Sequence, residues 1–130
     1  MFTTQIDSKM TVKDFNKALT KTTINTSALK QIEKVYGTID SQIVRKILSF
    51  GFKKYFFESD GTLRALSLNE ILDAKESLHV NFPQQRVLPL FDTGDNDFIV
   101  YHIDKNKWSM MNINDLSVFL ETDNLWSLLK

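Results

Sequence analysis

Residues 87–104, with the sequence VLPLFDTGDNDFIVYHID, constrain the fold of this chain more than any other stretch. An apolar run is followed by an acidic turn containing Gly94, and a second apolar run ends in Tyr101. Short apolar runs separated by Gly, Asp and Asn are typical of two strands joined by a turn, because these turn residues accept left-handed backbone angles. The segment therefore predicts an antiparallel pair of strands at the centre of the fold.

Three short helices are predicted before residue 52, each with apolar side chains at helical spacing. Thr11, followed three residues later by an aspartate, resembles a capping signal for the first helix. Ser27 is expected to cap the second helix, which stops at Gly37. The third is expected to begin at residue 40 or 41 and to end at Gly51.

The spacing of apolar residues then changes to that of strands. The Asp60-Gly61 pair predicts a hairpin turn between strands at residues 52–57 and 62–66. Ser67 and Glu70 form a capping box for a fourth helix. A loop is expected at residues 81–85.

The C-terminal third is expected to contain three strands and a last helical region. The strands are predicted at residues 86–91, 98–104 and 107–113. A helical region should follow residue 114, with Leu116, Phe119 and Leu120 facing inward, and a final turn should run through residues 125–129. The whole order predicts a single α+β domain over residues 1–130, with a twisted antiparallel sheet packed against several helices. Its core would cover about residues 28–121, after a helical N-terminal extension at 1–26.

Composition excludes several classes of function. The 130 residues include 16 basic and 16 acidic side chains, so no excess positive charge favours a nucleic-acid partner. Cysteine is absent, which excludes disulfides, thiolate metal sites and a cysteine nucleophile. No apolar run approaches the roughly 18 residues of a membrane span, and the N-terminus lacks the pattern of a signal peptide. We therefore expect a cytoplasmic protein with no membrane partner.

The acidic turn at Asp92, Asp95 and Asp97 invites a metal-binding or catalytic interpretation. An EF-type calcium loop fails from either Asp92 or Asp95, because the residues at the later ligand positions are wrong. His79 and His102 have no companion at metal-ligand spacing. No nucleophile elbow, phosphate-binding loop or dinucleotide fingerprint is present. The sequence predicts no catalytic residues, no metal and no cofactor, and a metal-dependent hydrolase stays open as a third hypothesis.

Several motifs resemble those of the SMI1/KNR4 family, also called the SUKH superfamily, over residues 28–121. The motifs are IEKVYG at 32–37, followed by the amphipathic segment 39–48; LSLNEI at 66–71; LPLFD at 88–92 with Gly94-Asp95; and Ile113 followed by LSVFL at 116–120, which resembles the closing helix of the family. The chain departs from the family at residues 40–41, where the family often has Pro, and at residues 50–51, where it often has Asn-Gly. The resemblance implies an α+β fold and a non-enzymatic binding module.

Two functions follow from this resemblance. Many bacterial members are immunity proteins that neutralise polymorphic toxins, often nucleases, whereas fungal members are regulatory scaffolds linked to cell-wall synthesis. Residues 87–123 carry seven acidic side chains against two lysines, a balance of −5 that would attract a basic toxin domain if it forms one surface. The same charges are more typical of an ordinary solvated face. The oligomeric state is left open.

The candidate partner-binding residues are therefore acidic side chains and one aromatic anchor. They are Glu58, Asp60, Asp92, Asp95, Asp97, Tyr101 and Asp104.

Overall fold

The computed structural model describes residues 8–50, 55–57 and 63–129. Over these residues the chain forms five α-helices and seven strands, so the predicted α+β class is confirmed. The helices are α1 (Val12–Lys21), α2 (Thr26–Tyr36), α3 (Gln42–Phe50), α4 (Leu68–Leu78) and α5 (Phe82–Gln85). The strands are β1 (Ser8–Met10), β2 (Tyr55–Phe57), β3 (Arg64–Ala65), β4 (Val87–Asp92), β5 (Asp97–His102), β6 (Lys107–Asn112) and β7 (Val118–Thr122). A 3-10 turn at Leu125–Ser127 follows the last strand.

The strands form one sheet whose spatial order follows the sequence, from β1 to β7. β1 pairs with β2 in parallel, and every later neighbour pair is antiparallel. The predicted hairpin at 87–104 is confirmed as β4 and β5, which pair from Val87 opposite His102 to Asp92 opposite Phe98. This hairpin lies in the middle of the strand order, and both of its strands are buried along most of their length.

Capping residues set the helix ends where the sequence predicted them or within two residues. The Thr11 hydroxyl accepts from the Asp14 N–H at 3.0 Å at the start of α1. α2 begins two residues earlier than expected, because Asn25 rather than Ser27 is its cap and its side chain accepts from the Ala28 N–H at 3.1 Å. The capping box of α4 is complete.

Phe82–Gln85 are helical and Asn81 is their N-cap, so the prediction of a loop at residues 81–85 was wrong. The Asn81 side chain accepts from the Gln84 N–H at 3.2 Å, and Pro83 lies in the first turn, where its missing N–H costs nothing. Arg86 ends this short helix in a left-handed conformation with φ of 54°.

Buried apolar side chains from all five helices and from β3 to β6 form one core. Phe15 of α1 lies at its centre, with its ring 6.0 Å from that of Phe91 on β4 and 6.1 Å from that of Trp126 in the C-terminal turn. The C-terminal residues are thus part of the fold, and Leu129 is fully buried. No helix within the described residues is long and apolar enough to cross a membrane.

Candidate functional site

Exposed apolar side chains are concentrated at the outer edge of the sheet, where the sequence did not predict them. Five large apolar side chains among the described residues are well exposed, and four of them fall between residues 116 and 120. Leu120 is 65% exposed, and Leu116, Val118 and Phe119 are between 39% and 43% exposed. We call these four residues the β7 patch. The fifth exposed side chain, Val35, lies alone on α2.

The predicted helix with Leu116, Phe119 and Leu120 inward was wrong, because a turn and a strand replace it. The Asn112 side chain accepts from the N–H groups of Asn114 and Asp115, at 2.9 and 3.3 Å. The Asp115 carboxylate accepts from the Ser117 N–H at 2.9 Å. Side chains that could have capped a helix therefore hold a tight turn, and the chain after it pairs with β6.

Two leucines of the β7 patch have left-handed backbone angles. Leu116 has φ of 62° and Leu120 has φ of 57°. Leu120 lies in an irregularity of the β6–β7 pairing, where the register shifts between Met110 opposite Phe119 and Trp108 opposite Thr122. A left-handed conformation costs a side chain of this kind about 1–2 kcal/mol, and Gly or Asn normally occupies such positions. Strain and apolar exposure thus coincide at Leu116 and Leu120.

Acidic side chains lie beside one end of the β7 patch. Asp95 is exposed in the β4–β5 turn, and Asp97 at the start of β5 accepts from the Asn112 side chain at 2.9 Å. Asp115 lies in the β6–β7 turn, and its hydrogen bonds from Ser117 hold the pKa of its carboxyl below the ordinary value. The two turns are joined by a hydrogen bond from the Ile113 N–H to the Asn96 carbonyl at 3.0 Å. We call Asp95, Asp97 and Asp115 the acidic end; none of them forms an ion pair with another described residue.

Asp92 has a role inside the fold instead. Its carboxylate lies 3.5 Å from the Arg64 guanidinium and accepts from the Gly94 N–H at 2.8 Å. Arg64 also binds Glu70 through both terminal nitrogens, at 2.9 and 2.8 Å. The carboxylate thus links the β4–β5 turn to β3 and α4.

Tyr101 and Asp104 lie at the opposite end of β5 from Asp97. Tyr101 is only 3% exposed, its ring lies 5.1 Å from that of Trp108, and its hydroxyl donates to Asn106 at 2.6 Å. The ring is therefore not the exposed anchor that the sequence suggested, and Phe119 is the aromatic side chain exposed at the sheet edge. Asp104 accepts from the Arg86 Nε at 2.7 Å.

These two residues line a polar cavity of about 470 Å³. Its walls come from the α2–α3 loop, the start of β4 and the β5–β6 turn, and the lining residues are Thr38, Asp40, Ser41, Arg86, Tyr101, Ile103, Asp104 and Asn106. Burial raises the pKa of the Tyr101 hydroxyl, a hydrogen bond with Ser41 lowers it, and the charge of Asp40 raises it again. The hydroxyl is therefore neutral at physiological pH.

Arg86 is fixed at the cavity wall by the end of α2. Its Nη1 donates to the Tyr36 carbonyl at 3.0 Å, and Gly37 follows with φ of 93°. A Cβ at residue 37 would contact the Arg86 guanidinium directly, so only glycine leaves room for it. This arrangement was not evident from the sequence, because residues 36 and 86 are 50 positions apart.

Glu58 and Asp60 lie outside the described residues. Within the described ranges, no group of three or more His, Cys, Asp or Glu side chains could hold a metal ion.

Comparisons with protein-family models, with curated proteins and with solved structures gave no match to this chain.

Proposed function

We propose that this chain is a non-enzymatic protein-binding module whose contact surface is the β7 patch and the adjoining acidic end. In the specific form that we favour, it is a cytoplasmic bacterial immunity protein that occludes a basic toxin domain. The observation that carries the proposal is the coincidence of apolar exposure and left-handed backbone angles at Leu116 and Leu120.

Neither feature benefits the isolated chain. Each left-handed leucine costs about 1–2 kcal/mol relative to a relaxed backbone. An exposed leucine also leaves apolar area in water, at about 25 cal/mol per Å². Strained conformations of this kind concentrate at functional sites, and clusters of exposed apolar side chains are typical of interaction surfaces. A partner that covers the β7 patch would remove this apolar area from water and so gain the corresponding free energy.

The edge position of β7 suits such a contact. β7 is the last strand in the sheet order, so its outer edge pairs with no other described strand. Exposed strand edges present unpaired N–H and C=O groups to partners. A partner segment could add a strand here while its side chains cover Val118 and Phe119.

The uncompensated carboxylates of the acidic end favour a basic partner. No Lys or Arg occurs between Lys107 and Lys130. Glu121 and Asp123 on and after β7 lie 3.5 Å from Lys105 and Lys107, respectively, so these four charges balance. The acidic end has no such compensation and therefore gives this side of the sheet a negative field, which speeds association with a positively charged surface.

The SMI1/KNR4 resemblance supplies the specific form of the proposal. Immunity proteins with this pattern of motifs bind toxins that are often nucleases, and nucleases are typically basic. The alternative is a regulatory scaffold in a cell-wall or signalling complex, which would use the same surface for a partner that is not toxic.

Capture followed by a growth assay separates these two forms. The immobilised full-length chain is used to capture a protein from lysate of the source organism, and the captured protein is identified and produced alone. We expect a basic protein that arrests growth when expressed by itself and is neutralised when this chain is co-expressed. A captured partner that leaves growth unaffected would overturn the immunity function and favour the scaffold.

Charge reversal at the acidic end tests the electrostatic part. Asp95→Lys should slow association with the captured partner by about tenfold at low salt, and the difference should shrink as salt is raised. Asp73→Lys, at an exposed position on α4, is the matched control and should leave the rate near that of the unchanged chain. Equal rates for both variants would contradict steering by the acidic end.

A further inference from the structure

The polar cavity of about 470 Å³ has no role in the contact through the β7 patch and the acidic end. We propose that it receives a single guanidinium or ammonium group, carried on an arginine or lysine side chain of the partner. This inference rests on the proposed function, since it gives the basic partner a specific anchoring point in addition to the β7 patch.

The charges of the lining residues favour a cation. The cavity contains one basic side chain, Arg86, and two carboxylates, Asp40 and Asp104. Arg86 is already engaged, because its Nε donates to Asp104 and its Nη1 donates to the Tyr36 carbonyl. The lining thus has a net charge of −1, and Asp40 forms no ion pair with another described residue.

The hydrogen-bonding groups also favour a donor. The second carboxylate oxygen of Asp104 accepts no hydrogen bond from any described residue, and the same holds for both oxygens of Asp40. The Tyr101 hydroxyl donates to Asn106, and its oxygen is in hydrogen-bonding contact with the Ser41 side chain, so the surplus acceptors of the cavity are the carboxylate oxygens. Ammonium and guanidinium groups are donors without acceptors, so they match this surplus of acceptors.

Two of the side chains that line the cavity, Tyr101 and Arg86, are held in place before any ligand enters. Tyr101 is held by its ring contact with Trp108 and by Asn106, whose own backbone is left-handed with φ of 54°. Arg86 is held between Gly37 and Asp104. A prearranged site loses little side-chain entropy on binding, and pockets of this volume hold one side chain with associated water.

The cavity and the β7 patch can be reached by one partner. The β5–β6 turn, which lines the cavity through Ile103, Asp104 and Asn106, also carries Lys105. Lys105 Nζ lies 3.5 Å from Glu121 Oε1 on β7. The turn therefore spans from the cavity to the end of β7.

A small-molecule probe tests the cavity without the partner. The full-length ¹⁵N-labelled chain is titrated with N-acetyl-L-arginine methylamide, and the amide resonances are followed by NMR. We expect saturable shifts at Ser41, Ile103 and Asn106 with a dissociation constant in the millimolar range, and the neutral citrulline analogue should produce much smaller shifts. Asp40→Asn should weaken the binding of the arginine probe by about threefold to tenfold. Asp73→Asn on α4 is the matched control and should have no effect.

Three results would overturn the inference. They are shifts of equal size with the citrulline analogue, stronger shifts with inorganic phosphate at the same residues, and the absence of shifts in the cavity at about 100 mM probe. Phosphate binding would mean that Arg86 and the start of α3 select an anion. Because Leu120→Asn changes the β7 patch and leaves the cavity intact, probe binding should survive in that variant. The experiment therefore distinguishes a failure of the cavity proposal from a failure of the β7 patch proposal.

Discussion

Gly37 holds the corner where α2 ends and the polar cavity begins. Its backbone has φ of 93°, and the Arg86 guanidinium occupies the space that a side chain would need. Gly37→Ala should lower the free energy of unfolding by about 2 kcal/mol or more, because it adds a left-handed strain and displaces Arg86 from its hydrogen bonds. Chemical denaturation measures this change.

A second glycine separates the two causes. Gly94 also has a left-handed backbone, with φ of 88°, but lies exposed in the β4–β5 turn. Gly94→Ala should show the backbone strain alone and cost about 1–2 kcal/mol. In an Arg86→Ala background the cost of Gly37→Ala should fall to a similar value. An unchanged cost in that background would show that the contact with Arg86 is not the cause.

His102 connects the stability of the sheet to pH. Burial lowers the pKa of its imidazole, the charge of Lys105 lowers it further, and the charge of Glu121 raises it. The ring nitrogen Nε2 lies 2.7 Å from the hydroxyl of Ser109, which is fully buried. The folded protein therefore binds the proton less tightly than the unfolded chain does.

The sign of the pH effect follows from this difference. The stabilisation is fully present above the unfolded pKa of about 6.5 and is lost as the pH falls toward the lower pKa of the folded state. We expect the free energy of unfolding to decrease between pH 7 and pH 5, and His102→Gln should flatten this part of the profile. The control His79→Asn, which keeps a residue that tolerates the left-handed conformation at the end of α4, should retain the slope. Equal slopes in the two variants would contradict the assignment to His102.

The elements that the sequence predicted well are those with local signals. The ends of α1 and α4 depend on a capping side chain three residues from its partner, and the β4–β5 hairpin depends on a turn flanked by apolar runs. Such signals act within a few residues and are legible in the sequence. Each of these elements lies within one or two residues of its expected position.

The region after residue 112 could not be assigned from local signals. Asn and Asp both cap helices and close turns, and the run LSVFL at 116–120 fits one helical turn as well as a strand. The outcome depends on pairing with β6, because Val118 and Phe119 lie opposite Met111 and Met110. The β-branched and aromatic residues in that run favour a strand, and they are the local signal that distinguishes a strand from a helix here.

Glu70 is the carboxylate on which the junction of β3, β4 and α4 depends. It accepts from both terminal nitrogens of Arg64 and from the Ser67 N–H at 2.9 Å. Glu70→Gln should lower the free energy of unfolding by about 1–3 kcal/mol, because charge-assisted hydrogen bonds to a half-buried guanidinium are weakened. Glu76→Gln, an exposed change of the same kind on the same helix, should cost less than about 0.5 kcal/mol. Similar losses in both variants would contradict a specific role for Glu70.

At the scale of the whole molecule, the sheet divides the acidic residues that the sequence placed together. Asp95 and Asp97 join Asp115 at one end of β5, whereas Asp104 joins Arg86 at the other end. A strand of six residues separates its ends by about 17 Å, so the two groups cannot bind the same small ligand. The alternation of strands and turns in the sequence predicts this separation. The positions of Arg86, Asp40 and the β7 patch depend on contacts between residues that are distant in the sequence, so they could not be predicted.

The β7 patch is proposed to bind a protein. The most direct test is the affinity of a variant with one substituted leucine, Leu120→Asn, for the captured partner. Leu120→Asn removes an apolar side chain that is 65% exposed and supplies a residue that tolerates φ of 57°. Its free energy of unfolding should equal or exceed that of the unchanged chain by up to about 1 kcal/mol. Its affinity for the captured partner, measured by calorimetry, should fall by about 30-fold or more.

Val35→Asn is the matched control, because Val35 is also exposed but lies on α2 and away from the patch. We predict that this variant binds the partner as tightly as the unchanged chain. If Leu120→Asn also binds as tightly while remaining folded, the β7 patch is not the binding surface and the account is wrong.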